Sequence, residues 1–286
     1  MTLDSKVALV TGCSSGIGEA TALELARAGY HVYATGRTME GLESLEGRAR
    51  EEGLSLTTRV LDVSNPKSVD TTISEIKKET DRLDVLVNNA GYALLGAIED
   101  IPMEDLRMQF DVNVFSLVAL YKNAIPLMRR NGGGTIFNIS SVAGRISVPI
   151  MGVYCASKFC VEALSLAMRN EVHQFGIKVV TIEPGPVNTR FSKNALKASG
   201  KILNKKDTPY RRAYENILAW YEDFGPGVPP QKVARIILKT TRKKRPKARY
   251  AVRLRDRLFM TFGSLIATRI GQRGVRWYFS LNLERA

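Results

Sequence analysis

An α/β fold, a doubly wound parallel sheet with helices on both faces, is what this chain predicts, and three observations predict it. Short β-branched runs alternate with helical apolar periodicity from residue 6 to about residue 190. The connections between them are short, so the 286 residues read as one large domain rather than two small ones. A glycine-rich turn, Thr11-Gly12-Cys13-Ser14-Ser15-Gly16-Ile17-Gly18, joins the first strand pattern to the first helix pattern.

Taken in order, residues 6–10 form the first strand, and the glycine turn follows it directly. Glycines at 12, 16 and 18 let the backbone turn sharply and pack helix on sheet, while unpaired helix N–H groups face an anion at the helix start, and the Ser14 and Ser15 hydroxyls add donors to the phosphate that residue 37 would meet. That arrangement suits the pyrophosphate of a dinucleotide. Residues 30–35 read as the second strand, ending at Gly36-Arg37. An acidic residue there would accept the ribose hydroxyls of NAD; a basic one favours the 2′-phosphate of NADP. Arg37 is otherwise an ordinary solvated arginine, and Glu40 is placed in the first turn of the next helix. A third strand leads to Asp62-Val63, a fourth to Asn88-Asn89-Ala90-Gly91, and a helix carries Asn113. A fifth strand ends at Asn138-Ile139-Ser140-Ser141, and a sixth leads to Pro184-Gly185-Pro186-Val187-Asn188-Thr189. Residues 247–252 alternate in polarity, as a seventh, edge strand would.

Between the fifth and sixth strands lies Tyr154-Cys155-Ala156-Ser157-Lys158. On a helix, positions four apart share a face, so the Lys158 ammonium is expected beside the Tyr154 phenol, favouring phenolate and bringing its pKa down towards neutral. A phenol so tuned can exchange a proton with a substrate oxygen while hydride moves to or from carbon. Ser141, thirteen residues upstream, is placed to hold that oxygen.

These motifs, in this order, resemble the short-chain dehydrogenases/reductases in their single-domain Rossmann form. The glycine turn and residues 33–37 are most similar to steroid- and retinoid-active members. The resemblance implies a tetrad: Ser141 orienting a carbonyl, Tyr154 as general acid or base, Lys158 tuning it and binding nicotinamide ribose, and Asn113 holding a relay water. It implies adenine contacts from Asp62 and Val63, and adenosine or ribose contacts from Asn89, Ala90 and Gly91. Carboxamide contacts fall to Val187 and Thr189 after Pro184. Asn113 and Asp62 also have plain structural readings, as a helix kink and a helix cap. The expected cofactor is NADP(H), and no metal is expected, because the two histidines and three cysteines lack ligand spacing.

The expected substrate is a lipophilic ketone or aldehyde and its alcohol. Residues 190–230 hold Phe191, Ala195, Leu196, Ile202, Leu203, Tyr210, Tyr214, Ile217, Leu218, Trp220, Tyr221 and Phe224, enough apolar surface for a lid. Val148, Pro149, Ile150 and Met151 would form the opposite wall. An NAD-dependent alcohol dehydrogenase and a non-catalytic dinucleotide-binding regulator that docks through its basic tail stay open as alternatives.

Composition is that of an ordinary globular protein, with no apolar run near the roughly 18–20 residues of a membrane span. The first strand begins too early to leave room for a cleavable signal, so a cytoplasmic home is expected. Charge is uneven: residues 1–188 carry 18 basic and 22 acidic side chains, residues 189–286 carry 24 and 6. Residues 1–252 therefore read as the core domain and 253–286 as a basic amphipathic helical extension. In that extension Leu254, Leu258, Phe259, Phe262, Leu265, Ile266 and Ile270 recur at helical spacing among arginines. Such a helix packs on the core, on a second subunit or over the site. It could instead attach to an anionic membrane through Trp277, Tyr278 and Phe279. Nucleic-acid binding is the least supported, since no recognised motif accompanies the charge. The resemblance also implies a homodimer or homotetramer paired through the helices of Asn113 and Tyr154.

Overall fold

The computed structural model describes residues 5–222, 227–263, 268–279 and 281. Its elements run β1 (Val7–Val10), α1 (Gly16–Arg27), β2 (His31–Gly36), α2 (Glu43–Glu51), β3 (Leu56–Val60), α3 (Pro66–Thr80), β4 (Val85–Asn88), α4 (Met103–Phe110) and α5 (Ser116–Arg130). There follow β5 (Gly134–Ile139), α6 (Gly152–Glu171), β6 (Ile177–Glu183), α7 (Phe191–Ala198), α8 (Gly200–Leu203), α9 (Arg211–Glu222), α10 (Pro230–Thr241), β7 (Arg249–Ala251), α11 (Leu254–Phe262) and α12 (Arg269–Tyr278). Glu40 falls in the turn ahead of α2, not within the helix as its spacing suggested.

Among the described residues seven strands form one sheet in the order β3-β2-β1-β4-β5-β6-β7, and every pairing is parallel. Burial on both faces explains why the strands read as continuous apolar runs. In β1, Ala8 and Val10 enter the core layer that also holds Leu23, Leu25, Val233 and Ile237 of α1 and α10. Val7 and Leu9 enter the opposite layer with Ile73, Ile76, Leu117, Leu120 and Met168 of α3, α5 and α6. Strand order reverses between β2-β1 and β4-β5, and ligands of such sheets sit in the crevice this reversal opens at the strands' carboxyl ends.

A third apolar cluster lies over that edge. It joins Leu94, Leu95 and Ala97 after β4, Ile150, Val153 and Tyr154 at the start of α6, Ala195, Ile202, Leu203, Tyr214 and Ile217 of the 190–230 segment, and Phe279 after α12. The segment is pinned by polar contacts: Ser199 Oγ accepts from Leu95 N at 2.7 Å, and Tyr214 Oη donates to Asp100 at 2.6 Å and accepts from Ala97 N at 3.1 Å. Lys205 pairs with the same Asp100. Its two ends meet where Val187 bridges Val228.

The extension departs from its expected packing. Leu254, Leu258 and Ile270 are exposed rather than packed on the core, and the inward positions are Asp256 and Met260 of α11, then Val275 and Phe279. Asp256 turns inward because Arg253 pairs with it at 3.0 Å, and its carboxylate lies against Gly185. Phe279, read as an interfacial anchor beside Trp277 and Tyr278, is instead buried. Leu265, Ile266 and Phe224 lie outside the described residues. Phe115, on the helical stretch that carries Asn113, and Phe159 and Leu166 of α6 are exposed, on the surface where the resemblance places a partner subunit. No helix among the described residues is long and apolar enough to cross a membrane.

Candidate active site

The glycine turn is built as a cradle. Gly12 and Gly16 adopt φ of +71° and +68°, a region open to glycine at little cost. A Cβ on Gly16 would come within 2.8 Å of Thr189 Cγ2, so that glycine admits the loop after β6. Ser15 caps α1 without a side-chain hydrogen bond, which leaves the first-turn N–H groups directed at whatever occupies the turn. Ser14 and Arg37 are exposed, and Arg37 follows β2 directly.

Neighbouring motifs hold the cradle in place. Thr11 Oγ1 accepts from Asn89 N and Ala90 N, both at 3.0 Å, and the Asn89 amide donates to Thr11 O at 2.9 Å and Gly12 O at 3.1 Å. Thr11, which sequence reasoning passed over, therefore ties the β4 exit to the turn. Asp62 is an Asx turn rather than a helix cap: its Oδ1 accepts from the Ser64 amide at 3.0 Å and hydroxyl at 2.7 Å. Asn65 caps α3 instead. Val63 is buried beside it, and Pro184 is buried at the exit of β6.

At the crevice, Ser141, Tyr154, Lys158 and Asn113 converge. Asn113 sits in a π-helical turn, residues 111–115, between α4 and α5. Such an extra backbone residue per turn re-aims a side chain inward. The buried Asn113 amide donates to Tyr92 O at 2.9 Å and Ser157 Oγ at 3.0 Å, and its Oδ1 accepts from Tyr92 N at 3.1 Å. Asn113 sits at the kink, with its Oδ1 on the side of Gly91 and Lys158. A Cβ on Gly91 would lie 3.0 Å from Asn113 Oδ1 and 3.6 Å from Lys158 Nζ, so glycine keeps the space between those polar atoms open.

Burial controls the ionisable groups. Tyr154 is 5% exposed and its phenol is pushed above its ordinary value by desolvation, while the neighbouring Ser141 hydroxyl pulls the other way. The expectation that Lys158 lowers the phenol is not met in this structure. The ammonium stands over the ring, 5.9 Å from its centroid, and donates to Ile139 O at 2.9 Å. Burial brings Lys158 itself down to about 8, against the opposing pull of Glu162. Ile150, whose carbonyl accepts from Gly96 N at 2.8 Å, holds φ of +66°, a strained conformation for a β-branched residue in the pocket wall. Phe191 forms the facing wall, its ring 5.8 Å from that of Tyr154.

Behind Lys158 sit two buried carboxylates, Glu162 of α6 and Glu183 of β6, which the motif reading did not single out. Arg249 of β7 donates to Glu162 at 2.9 Å and Arg145 reaches Glu183 at 3.5 Å. Desolvation, with the Glu162 charge added to it, raises Glu183 to about 7 against the two arginines. The folded protein thus holds a proton that the unfolded chain, titrating at 4.5, has already lost. That contribution to stability is complete below about pH 4.5 and gone above about pH 7. Glu183→Gln should accordingly gain thermal stability relative to wild type as pH rises through this window, by on the order of 3 kcal/mol at most. Parallel melting curves for the two proteins across the window would refute this.

The family model described as short chain dehydrogenase matches residues 6–200. The chain is 36% identical to the 3-ketodihydrosphingosine reductase of Bacteroides thetaiotaomicron over 87% of its own length and 88% of that protein's. It is 35% identical to the NADPH-dependent 3-dehydrocapnine reductase of Ornithobacterium rhinotracheale, covering 93% and 94%. Among solved structures, a short-chain dehydrogenase from Streptomyces avermitilis superposes with a TM-score of 0.80 at 30% identity, over 96% of this chain and 97% of that one. Sheet order, glycine cradle and matched sequence agree, and the chain belongs to the short-chain dehydrogenase/reductase family.

Proposed function

We propose that this protein is an NADP(H)-dependent oxidoreductase that interconverts a lipophilic ketone or aldehyde and its alcohol. The observation that carries the reading is the convergence of a buried phenol, the Ser141 hydroxyl beside it and a buried ammonium at the crevice where the glycine cradle lies.

The residues suit a dinucleotide. Gly12, Gly16, Ile17 and Gly18 would hold the pyrophosphate, Arg37 with the Ser14 and Ser15 hydroxyls the 2′-phosphate, Asp62 and Val63 the adenine, and Asn89, Ala90 and Gly91 the adenosine side. Pro184, Val187 and Thr189 would bracket the nicotinamide, which supplies or accepts a hydride when bound. Ser141 donates a hydrogen bond to the substrate oxygen, and Tyr154 Oη delivers its proton to that oxygen in reduction or takes it back in oxidation. Lys158 would hold the nicotinamide ribose and, as a buried ammonium beside the ring, would supply the proton that replaces the one the phenol gives up. The gap that Gly91 keeps between Asn113 and Lys158 fits a water able to resupply it.

The substrate class follows from the walls. Val148, Ile150, Met151, Phe191, Leu196 and Tyr221 surround Tyr154 with apolar surface, and Arg190 and Arg145 both face solvent, so among the described residues neither arginine is buried to pair with an acidic substrate. Two of the relatives are reductases by name, one of a keto compound and one NADPH-dependent.

The test is oxidation of NADPH and NADH, offered separately, with a panel of hydrophobic ketones and aldehydes. Arg37→Glu should weaken NADPH by about 1.5–3 kcal/mol, roughly tenfold to a hundredfold in KM, and leave NADH the better cofactor. Equal loss with both cofactors would remove Arg37 from the phosphate. Tight NADPH binding without turnover on any carbonyl or alcohol would favour a regulator.

A further inference from the structure

The last helix carries two faces that serve different purposes. Gly271, Val275 and Phe279, each four residues apart, turn towards the protein, and Val275 and Phe279 join the cluster containing Tyr154. Asn216 of α9 fastens the end of the helix by donating to Tyr278 O. On the outer side Ile270 is 83% exposed and Trp277 75%, with Tyr278 half exposed beside them. Residues 270, 274 and 277 fall on one stripe of the helix, and Arg269, Arg273 and Arg276, all exposed, flank it. The preceding helix repeats the pattern: Leu254 and Leu258 are exposed next to Arg255 and Arg257, while Asp256 and Met260 point inward.

Little acidic charge answers this face in the sequence of the extension. Between Arg253 and Glu284 the sequence holds one acidic residue, Asp256. It is buried and bound to Arg253 at 3.0 Å, and of the outer arginines Arg255 reaches it at 3.9 Å. The denser basic run at 242–245 belongs to a different place, since it precedes β7 and so lies at the opposite end of the sheet from the site.

We propose that the outer faces of α11 and α12 dock on an anionic lipid bilayer, with Trp277, Ile270, Leu254 and Leu258 entering the interface and the arginines binding lipid phosphate. A nucleic acid would engage the arginines but leave four large apolar side chains in water. An apolar protein groove would cover the stripe and bury the arginines unpaired. A bilayer surface of negative charge answers both at once: an aromatic ring and aliphatic chains lie at headgroup depth while guanidinium groups snorkel to phosphate. The inner face of the same helix closes the apolar cluster around Tyr154, so docking turns the mouth of the pocket towards the lipid. This last consequence rests on the proposed carbonyl chemistry; the binding itself does not.

The experiment is co-sedimentation of the full chain with vesicles of phosphatidylcholine alone and of phosphatidylcholine mixed with phosphatidylglycerol. Binding is expected to the mixed vesicles, to fall steeply with added salt, and to be at least about tenfold weaker for Arg273→Glu/Arg276→Glu and for Ile270→Ser/Trp277→Ser. Both double variants change exposed side chains, so an unchanged melting temperature certifies the fold. Equal partition to both vesicle types, binding retained by either variant, or sedimentation with neither vesicle would overturn the proposal. So would retention on duplex DNA without retention on vesicles. None of these outcomes depends on turnover, so the reductase reading and the docking surface can fail separately.

Discussion

Tyr154→Phe is expected to lower turnover by about two to four orders of magnitude while leaving the fold and NADPH binding in place. The size follows from what the hydroxyl does. No other side chain described in the crevice offers a proton to the substrate oxygen as directly: Lys158 spends a donor on Ile139 O, and Ser141, whose Oγ accepts from Ala143 N, is an aliphatic hydroxyl and a far weaker acid than a phenol. The fold survives because the ring is what packs. Tyr154 sits among Val153, Cys155 and Phe191, and phenylalanine fills that space with the same ring. Deleting the hydroxyl also removes a group that burial already holds uncharged, so no buried charge is stranded. Turnover and cofactor quenching measured on the same preparation decide the matter. A variant that retains a tenth or more of the wild-type turnover would take the proton transfer away from this phenol.

How much of this was legible in the sequence depended on whether the cause was local. The strand and helix order, the glycine turn and the spacing of Ser141, Tyr154 and Lys158 follow from short-range patterns, whereas Asn113 is placed by the family resemblance alone. The pKa relation between Lys158 and Tyr154 did not follow. Spacing of i and i+4 puts both on one face, but which effect wins is decided by burial from Val148, Ile150 and the 190–230 segment, residues far apart in sequence. Glu162 and Glu183 escaped for the same reason. Each looks like an ordinary surface carboxylate until β6 and α6 bury them against Arg249 of the edge strand. The extension misled through its periodicity, because a helix with apolar residues on more than one side does not say which side the core will take. Asp256 decided it, by pairing with Arg253 and turning Leu254 and Leu258 outward.

Two glycine substitutions should act in opposite directions. In Gly18→Ala the new Cβ would stand 2.6 Å from Asn89 Nδ2 and press on the carbonyl of Gly12. Neither neighbour can yield cheaply, because Asn89 Nδ2 is bonded to Thr11 O and Gly12 O, and Gly12 is fixed at positive φ by the turn. Relieving the clash pulls the cradle away from the β4 exit and breaks at least one of those bonds. Overpacking costs about 1–3 kcal/mol and a lost hydrogen bond about another 1 kcal/mol, so a stability loss of roughly 2–4 kcal/mol is expected. NADPH affinity should fall with it, since the N–H groups of the turn no longer point at one place. Gly47, in the middle of α2, meets nothing within 4 Å of an added Cβ. Gly47→Ala should therefore stabilise by about 0.5–1 kcal/mol through helix propensity, with cofactor binding untouched. Chemical denaturation of both variants, with NADPH titrations alongside, separates the two effects. If Gly18→Ala kept wild-type stability and affinity, the close approach of turn and strand would not be what demands glycine there, and the cradle would have to be held by Thr11 alone.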